Sequence, residues 1–388
     1  PLTDHKDNVI GVLQLINAKE KDKIISFDKE IIELIKALSS QASMALTNQL
    51  LIEQQKSLFK SFIQLVAEAL EHKDQTTGGH CNRVPIITMM IADEINEDTD
   101  GPYKDFSFTE DQMEELYIAG WLHDFGKVAT PENIMNKSTK LEGIYDKINQ
   151  IKLKFEIIKR DLLIEYYKSE LHSFQSSKKQ KNTSLLKEID KIQQDMDFLE
   201  QCNIGGEFMS KELKDKVRDI SRYNIEINGI TTPLLSDDEV NNLNISKGTL
   251  SDQDREIMEN HVTLTYELLN KMPYPSHLKQ VPFYAGCHHE KLNGKGYPNG
   301  FKGEKLPLQA RIIAIADVFE GLTAPDRPYK DGYKLSKAMH ILKLMVNDGE
   351  LDPDLFNLFI TKKLYLRYAQ DKINSSQIDE IIEKDLLI

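Results

Sequence analysis

From residue 28 to residue 77 the chain contains neither proline nor glycine. Ile31, Ile32, Leu34, Ile35, Leu38, Ala42, Met44 and Ala45 recur there at helical spacing. Ser26-Phe27-Asp28 supplies a start signal. A helix of that length does not fold back on itself; it pairs with a twin or bridges domains. We read it as a signalling helix on a dimer axis, with a plain linker as the alternative. Ahead of it, residues 7–18 (DNVIGVLQLINA) are rich in β-branched and aliphatic residues and predict one strand. One strand and one helix make no domain, so residues 1–50 are expected to close a larger α/β unit.

The bulk properties exclude several classes. The 388 residues are 29% charged and 40% hydrophobic, enough for two or three units with a real core. A net charge of −13 argues against a partner that is a nucleic-acid polymer. It leaves room for a small anionic ligand held by a few local cations. Cys81, Cys202 and Cys287 have no paired spacing, so a reducing, cytoplasmic setting is expected. Cys287 beside His288 reads as a buried inert thiol. No apolar run approaches the ~18 residues of a membrane span. The chain opens on Pro1 and is read as a fragment, which leaves any preceding segment open.

Beyond residue 77 the pattern stays helical. Gly78-Gly79 break the long helix and present His80. A helix over 84–96 and a polar loop (97–108) lead to an apolar run ending in His123-Asp124-Phe125-Gly126-Lys127. Neighbours on a helix point about 100° apart, so His123 and Asp124 share a metal only where the helix ends, or else serve two metals. Gly126 is expected to ease the turn. Within 137–246, Leu141, Ile144, Ile148, Ile151, Phe155, Ile158 and Leu162 alternate by three and four, and Leu185, Ile189, Ile192, Met196 and Leu199 repeat the pattern. This predicts an antiparallel helical hairpin, then a short helix (210–223) and an irregular tail, serving dimerisation or partner contact. A further helix starts near Ser251 and carries His261. His288-His289-Glu290 precede a Gly-rich loop, and Asp317 lies within an apolar helix (308–322). Residues 333–388 are helical, with His340 on the apolar side.

The candidates for chemistry are His80, His123, Asp124, His261, His288, His289 and Asp317. A carboxylate inside RIIAIADVFEGL is costly to bury unless it is paired or metal-bound. Imidazole and carboxylate without thiolate suit iron, manganese, zinc or nickel. More than four ligands imply two ions, and a pair ~3.5–4 Å apart is the usual device for cleaving phosphodiesters. Asp124 is the natural bridging carboxylate.

His123-Asp124 with Lys127, then His261, then HHEKLNGKGYP (288–298), then Asp317, resemble the HD-GYP family of HD phosphohydrolases over roughly 60–136 and 247–370. GVLQLINAKEKD and SSQASMALTNQ are similar to the end of a GAF sensor domain. The resemblance implies a GAF remnant over 1–50, a connecting helix over 51–77, and an all-helical catalytic domain over 60–388 into which 137–246 is inserted. It implies hydrolysis of cyclic di-GMP to pGpG or GMP with two divalent ions, iron or manganese ahead of zinc or nickel, at the seven candidate ligands. Lys127 would contact a phosphate or the leaving oxygen. Tyr297, Gly294 and Gly296 would shape the substrate pocket, and Arg327 and Lys330 would hold phosphates or guanine. Glu290 would orient a ligand histidine or cap the loop, and Arg83 would make a structural ion pair. The chain departs from the pattern in three places. Thr76 replaces a glutamate that accompanies a third metal, Glu320 stands where aspartate is usual, and 137–246 is long. A homodimer through 28–77 or 137–246 is expected. The rival readings are a cyclic di-GMP receptor with little turnover and a phosphodiesterase for another cyclic dinucleotide.

Overall fold

The computed structural model describes residues 1–388 except 5, 22, 74–78, 175–182, 207 and 325–331. The chain is mainly α-helical with a small amount of β-structure at the N-terminus, and divides into two compact units, Pro1–Val66 and Ala67–Ile388.

In the first unit β1 (Leu2–Thr3) pairs antiparallel with β2 (Val9–Gly11), and β3 (Lys19–Glu20) with β4 (Lys23–Ile24). The strand expected over 7–18 is therefore confined to Val9–Gly11. Val12 and Ile16, within the expected strand, are 76% and 69% exposed. The helix α1 (Lys29–Glu71) begins as read, with Asp28 Oδ1 accepting from the Ile31 N–H at 2.8 Å.

The second unit is built on α2 (His80–Asn96) and α3 (Glu110–Leu122). Their inward faces are fully buried: Val84, Ile87, Ile91 and Ile95 on α2, Leu116 and Ala119 on α3. A Cβ on Gly120 would sit 3.5 Å from Pro85 Cα, so the two helices pack closely where they carry His80 and His123 toward each other. A 3-10 turn (Phe125–Ala129) and the short α4 (Glu132–Met135) follow.

Residues 137–246 form α5 (Ile148–Phe174), α6 (Thr183–Ile204), α7 (Lys211–Ser221) and α8 (Asp237–Leu243), with a hairpin of β5 (Asn224–Ile227) and β6 (Ile230–Pro233) before α8. Lys152 meets Glu200 and Lys159 meets Gln193, so α5 and α6 run antiparallel. The seam differs from the expectation at its start. Ile144 is 99% exposed and precedes the helix. Ile151, Phe155, Ile192 and Leu199 instead share a core with Val217, Ile220, Ile225, Leu234 and Leu243. The tail expected to be irregular is thus ordered. Its hairpin turns at Asn228-Gly229, where both residues have the positive φ (53° and 78°) that a two-residue turn demands.

The remaining helices complete the bundle: α9 (Asp252–Leu269), α10 (Val281–Ala285), α11 (Leu308–Thr323), α12 (Leu335–Asn347), α13 (Pro353–Thr361) and α14 (Leu364–Lys372). Ser251 opens α9 with a capping box through Asp254. Phe319 of α11 packs edge-on to Phe359 and Tyr368, at 5.0 and 5.8 Å between ring centres. His340 is exposed rather than on the apolar side of α12. Among the described residues no helix is long and apolar enough to cross a membrane.

Candidate metal centre

Helix α3 ends at Leu122, which frees His123 and Asp124 from strict helical spacing. Asp124 lies at the middle of the cluster and divides its two oxygens. Oδ2 is 3.4 Å from His123 Nε2, 3.6 Å from His80 Nε2 and 2.8 Å from Lys127 Nζ. Oδ1 is 3.2 Å from His261 Nε2 and 3.8 Å from His288 Nε2. Asp317 spans the same divide. Its Oδ1 lies 3.2 Å from His80 Nε2, and its Oδ2 lies 3.9 Å from His289 Nδ1. The ligand atoms of His80, His123 and Asp124 are all within 4.8 Å of one another, as are those of His261, His288 and His289.

Three histidines are held the same way. Nδ1–H of His123, His261 and His288 donates to the carbonyl three residues upstream, on Gly120 (2.7 Å), Met258 (2.6 Å) and Ala285 (2.6 Å). A donor at Nδ1 leaves the Nε2 lone pair facing the centre, which is the tautomer a metal requires. His261 Nε2 and His288 Nε2 are both buried without a hydrogen-bond partner among the described residues, and both face Asp124 Oδ1. Buried polar atoms are ordinarily satisfied, so these nitrogens fit a cation between them.

His80 is positioned differently. Its Nδ1 pairs with Glu320, whose other oxygen accepts from Arg83 Nε at 2.6 Å. Glu320 is 1% exposed. Glu320 therefore orients the His80 ring, and Arg83 makes the structural ion pair read for it. Burial pulls the His80 imidazole down, but Glu320 and Asp317 outweigh it and raise the pKa to about 10. Burial lowers His289 to about 4, and burial with the neighbouring His289 and His123 rings holds His288 well below the usual range. Burial pushes the Asp124 carboxyl up, yet Lys127 and His123 hold it well below the carboxylate range. His288 and His289 are thus held neutral and Asp124 ionised, as a divalent ion needs, whereas His80 carries a proton between Glu320 and Asp317 that a metal ion would have to displace.

Two glycines owe their presence to packing. Gly126 does not have positive φ, so the turn does not explain it. A Cβ there would lie 1.9 Å from the His261 carbonyl oxygen. The 3-10 turn packs directly on the α9 backbone, and Thr265 Oγ1 stitches the two by accepting from Gly126 N–H (2.7 Å) and donating to His123 O (3.2 Å). A Cβ on Gly296 would meet Lys291 N at 2.3 Å. Gly294 has φ of 78° and serves a turn. Both loop glycines are thus explained by the loop itself. Glu290 braces that loop, accepting from Asn299 N–H (2.7 Å) and Phe301 N–H (2.9 Å), so it caps the loop rather than orienting a histidine. The Tyr297 ring lies 5.0 Å from the His289 ring. Thr76, Arg327 and Lys330 lie outside the described residues.

Local sequence offered no sign of two further contributors. Glu71 accepts from Gly79 N–H (3.2 Å) and from Cys81 N–H, standing in for the cap that glycine lacks at the start of α2. Lys73 Nζ donates to the carbonyls of Val128 (2.6 Å) and Thr130 (2.8 Å), just beyond Lys127. Separately, Asp111, Glu114 and His277 gather nearer the surface, where a 3.5 Å contact pairs His277 with Glu114.

Two family models of the HD domain match the chain, over residues 77–197 and 221–355. The first range contains His80, His123 and Asp124; the second contains His261, His288, His289 and Asp317. The chain carries an HD domain. It is similar to the 3'3'-cGAMP-specific phosphodiesterase 1 of Vibrio cholerae, at 46% identity over 77 residues, 20% of this chain and 18% of that protein. The 3'3'-cGAMP-specific phosphodiesterase 3 of the same organism is 33% identical over 132 residues, 32% of this chain and 28% of that protein. The cyclic di-GMP phosphodiesterase response regulator RpfG of Xanthomonas campestris is 38% identical over 99 residues, 25% of each chain. The matched stretches span less than a third of these curated relatives. An HD domain with clustered metal-coordinating residues is consistent with a metal-dependent phosphodiesterase.

Proposed function

We propose that this chain is an HD-GYP-type phosphodiesterase that opens a 3',3'-cyclic dinucleotide at a two-metal centre. The observation that carries the proposal is the division of Asp124, with one oxygen facing His80 and His123 and the other facing His261 and His288. His80, His123, Asp124 and Asp317 would hold one ion; His261, His288, His289 and the second oxygens of both aspartates would hold the other. The donor set fits iron, manganese, zinc or nickel, and the family resemblance puts iron or manganese first. Bound there, two divalent ions supply Lewis-acid activation of water and of the phosphoryl group. Lys127, held at 2.8 Å from Asp124, is placed to steady a phosphate oxygen or the leaving oxygen. Tyr297, beside His289, bounds the site on its outer side.

For the substrate, the curated relatives named above divide. Two act by name on 3'3'-cGAMP and one on cyclic di-GMP. The two ligands share the scissile 3'–5' diester and differ in one purine. Both are therefore substrates to test, which favours the alternative of another cyclic dinucleotide over cyclic di-GMP as the main expectation, and a linear dinucleotide is the first product. A receptor with little turnover is the competing reading; the complete ligand set supports turnover. We further take residues 1–50 as the end of a sensor domain and α1 as its connecting helix, paired with a second copy. Met44, Leu51, Leu58 and Leu65, exposed at seven-residue spacing, support that pairing.

The test is anaerobic purification, metal analysis and chromatographic assay with both dinucleotides in manganese- or iron-supplemented buffer. Two metals per chain and a linear product are expected, and both should fall in Asp124→Ala. Metal and ligand bound without hydrolysis would establish the receptor instead. A folded protein that takes up no metal would refute the centre.

A further inference from the structure

Two carboxylates of α9, Glu256 and Glu259, line a groove and lie outside the proposed ligand set. A groove of about 460 Å³ runs along α9 past the Gly-rich loop. It is lined by Glu256, Glu259, Asn260 and Thr263 on the helix and by Tyr297 and Pro298 on the loop. The groove adjoins the proposed metal ligands: Asn260 immediately precedes His261, and the Tyr297 ring lies 5.0 Å from the His289 ring at a tilt of 38°. Burial pushes the Tyr297 phenol up, and Glu259, Asp317 and Asp124 push it further against the opposing Lys127.

The charge of this groove is informative. Among the described residues no lysine or arginine lines it, and two carboxylates do. A phosphate would be repelled there. The groove therefore suits the part of a cyclic dinucleotide that carries N–H donors, which is a base. The Watson–Crick edge of guanine presents N1–H and N2–H side by side, and both oxygens of one carboxylate can accept from them. Adenine presents N6–H beside the N1 lone pair, and that lone pair would face a carboxylate oxygen.

We propose that the α9–Tyr297 groove is a base subsite in which Glu259 reads guanine. This rests on the phosphodiesterase reading above and adds a consequence to it. A dinucleotide with a single guanine can occupy the subsite in one orientation only. One of its two diester bonds then lies over the metal ligands, so 3'3'-cGAMP is opened at one bond and yields one linear product. Cyclic di-GMP offers a guanine in either orientation, and cyclic di-AMP offers none.

The experiment compares the manganese-loaded protein with Glu259→Gln on cyclic di-GMP, 3'3'-cGAMP, cyclic di-AMP and bis(p-nitrophenyl) phosphate, a diester without a base. KM for cyclic di-GMP should rise about tenfold in the variant, the scale of one charge-assisted hydrogen bond. Metal content and turnover of bis(p-nitrophenyl) phosphate should stay at wild-type values, which loss of folding would not allow. The wild type should release a single linear product from 3'3'-cGAMP. An unchanged KM, two linear products from the outset, or cyclic di-AMP handled as well as cyclic di-GMP would overturn the proposal. Failure of the phosphodiesterase reading itself shows as no hydrolysis of any substrate by the wild type. Equilibrium dialysis of the three dinucleotides on the same preparation then still ranks guanine against adenine.

Discussion

Replacing Gly126 by alanine adds one methyl group and is expected to dismantle the metal centre. The new Cβ would stand 1.9 Å from the His261 carbonyl oxygen and 2.6 Å from the Thr265 amide nitrogen. Both are helix backbone, so no flexible side chain can yield. Restoring an ordinary contact requires the turn and α9 to part by about 1.5 Å. Overpacking of this kind costs about 1–3 kcal/mol. The functional cost is larger, because metal–ligand distances tolerate only about 0.2 Å. The turn carries Asp124 and α9 carries His261, 3.2 Å apart across this contact. Separation also breaks the Thr265 bridge to Gly126 and His123. Gly126→Ala should therefore keep its far-UV circular dichroism and lose at least half its metal after manganese loading and dialysis. Turnover should fall about 100-fold or more, the usual penalty for misplacement on the ångström scale. Thr265→Val removes the bridge without a clash and should cost only about 1 kcal/mol in stability. Wild-type metal content and turnover in Gly126→Ala would refute the close-approach argument.

Other contacts give smaller, separable effects. Lys73→Met frees the carbonyls of Val128 and Thr130 and should raise the manganese concentration for half-maximal activity several-fold, while Lys73→Arg retains most of the function; equal metal titrations for all three proteins would remove Lys73 from the positioning of the turn. Glu290→Gln keeps one good acceptor of two and should lower stability by about 1–2 kcal/mol, raising KM for a cyclic dinucleotide with metal content unchanged. A wild-type melting curve and KM would exclude the bracing role. Lys137 Nζ lies 2.8 Å from Asp254. Burial opposes ionisation of that carboxyl, but Lys137 and Ser251 hold its pKa below the ordinary aspartate range. A depressed carboxylate stabilises the fold above its unfolded pKa and loses that contribution as pH falls through the folded value. The stability difference between wild type and Lys137→Met should thus be about 1 kcal/mol near neutrality and shrink below about pH 4; a difference that stays constant to pH 2 would contradict the ion pair.

The sequence by itself determined the helical class, the long α1, and the seven side chains that meet at the centre. Those features are written locally, in apolar spacing, in glycine and proline placement, and in ligand types that are costly to bury alone. The antiparallel pairing of α5 and α6 was also readable from its alternation, and the Asn228-Gly229 turn carried a hairpin signal of its own. Tertiary structure alone decided how the ligands divide. Asp124 shares its oxygens between two groups of histidines because α2, α9 and α10 converge on the end of α3, and no local pattern encodes that convergence. The same holds for the supporting residues. Gly126 is glycine because of α9, Glu320 and Glu71 both act on the start of α2, and Lys73 acts on a turn far along the chain. A side chain's partner in such contacts is chosen by packing between elements distant in sequence, so its role exists only once those elements have met.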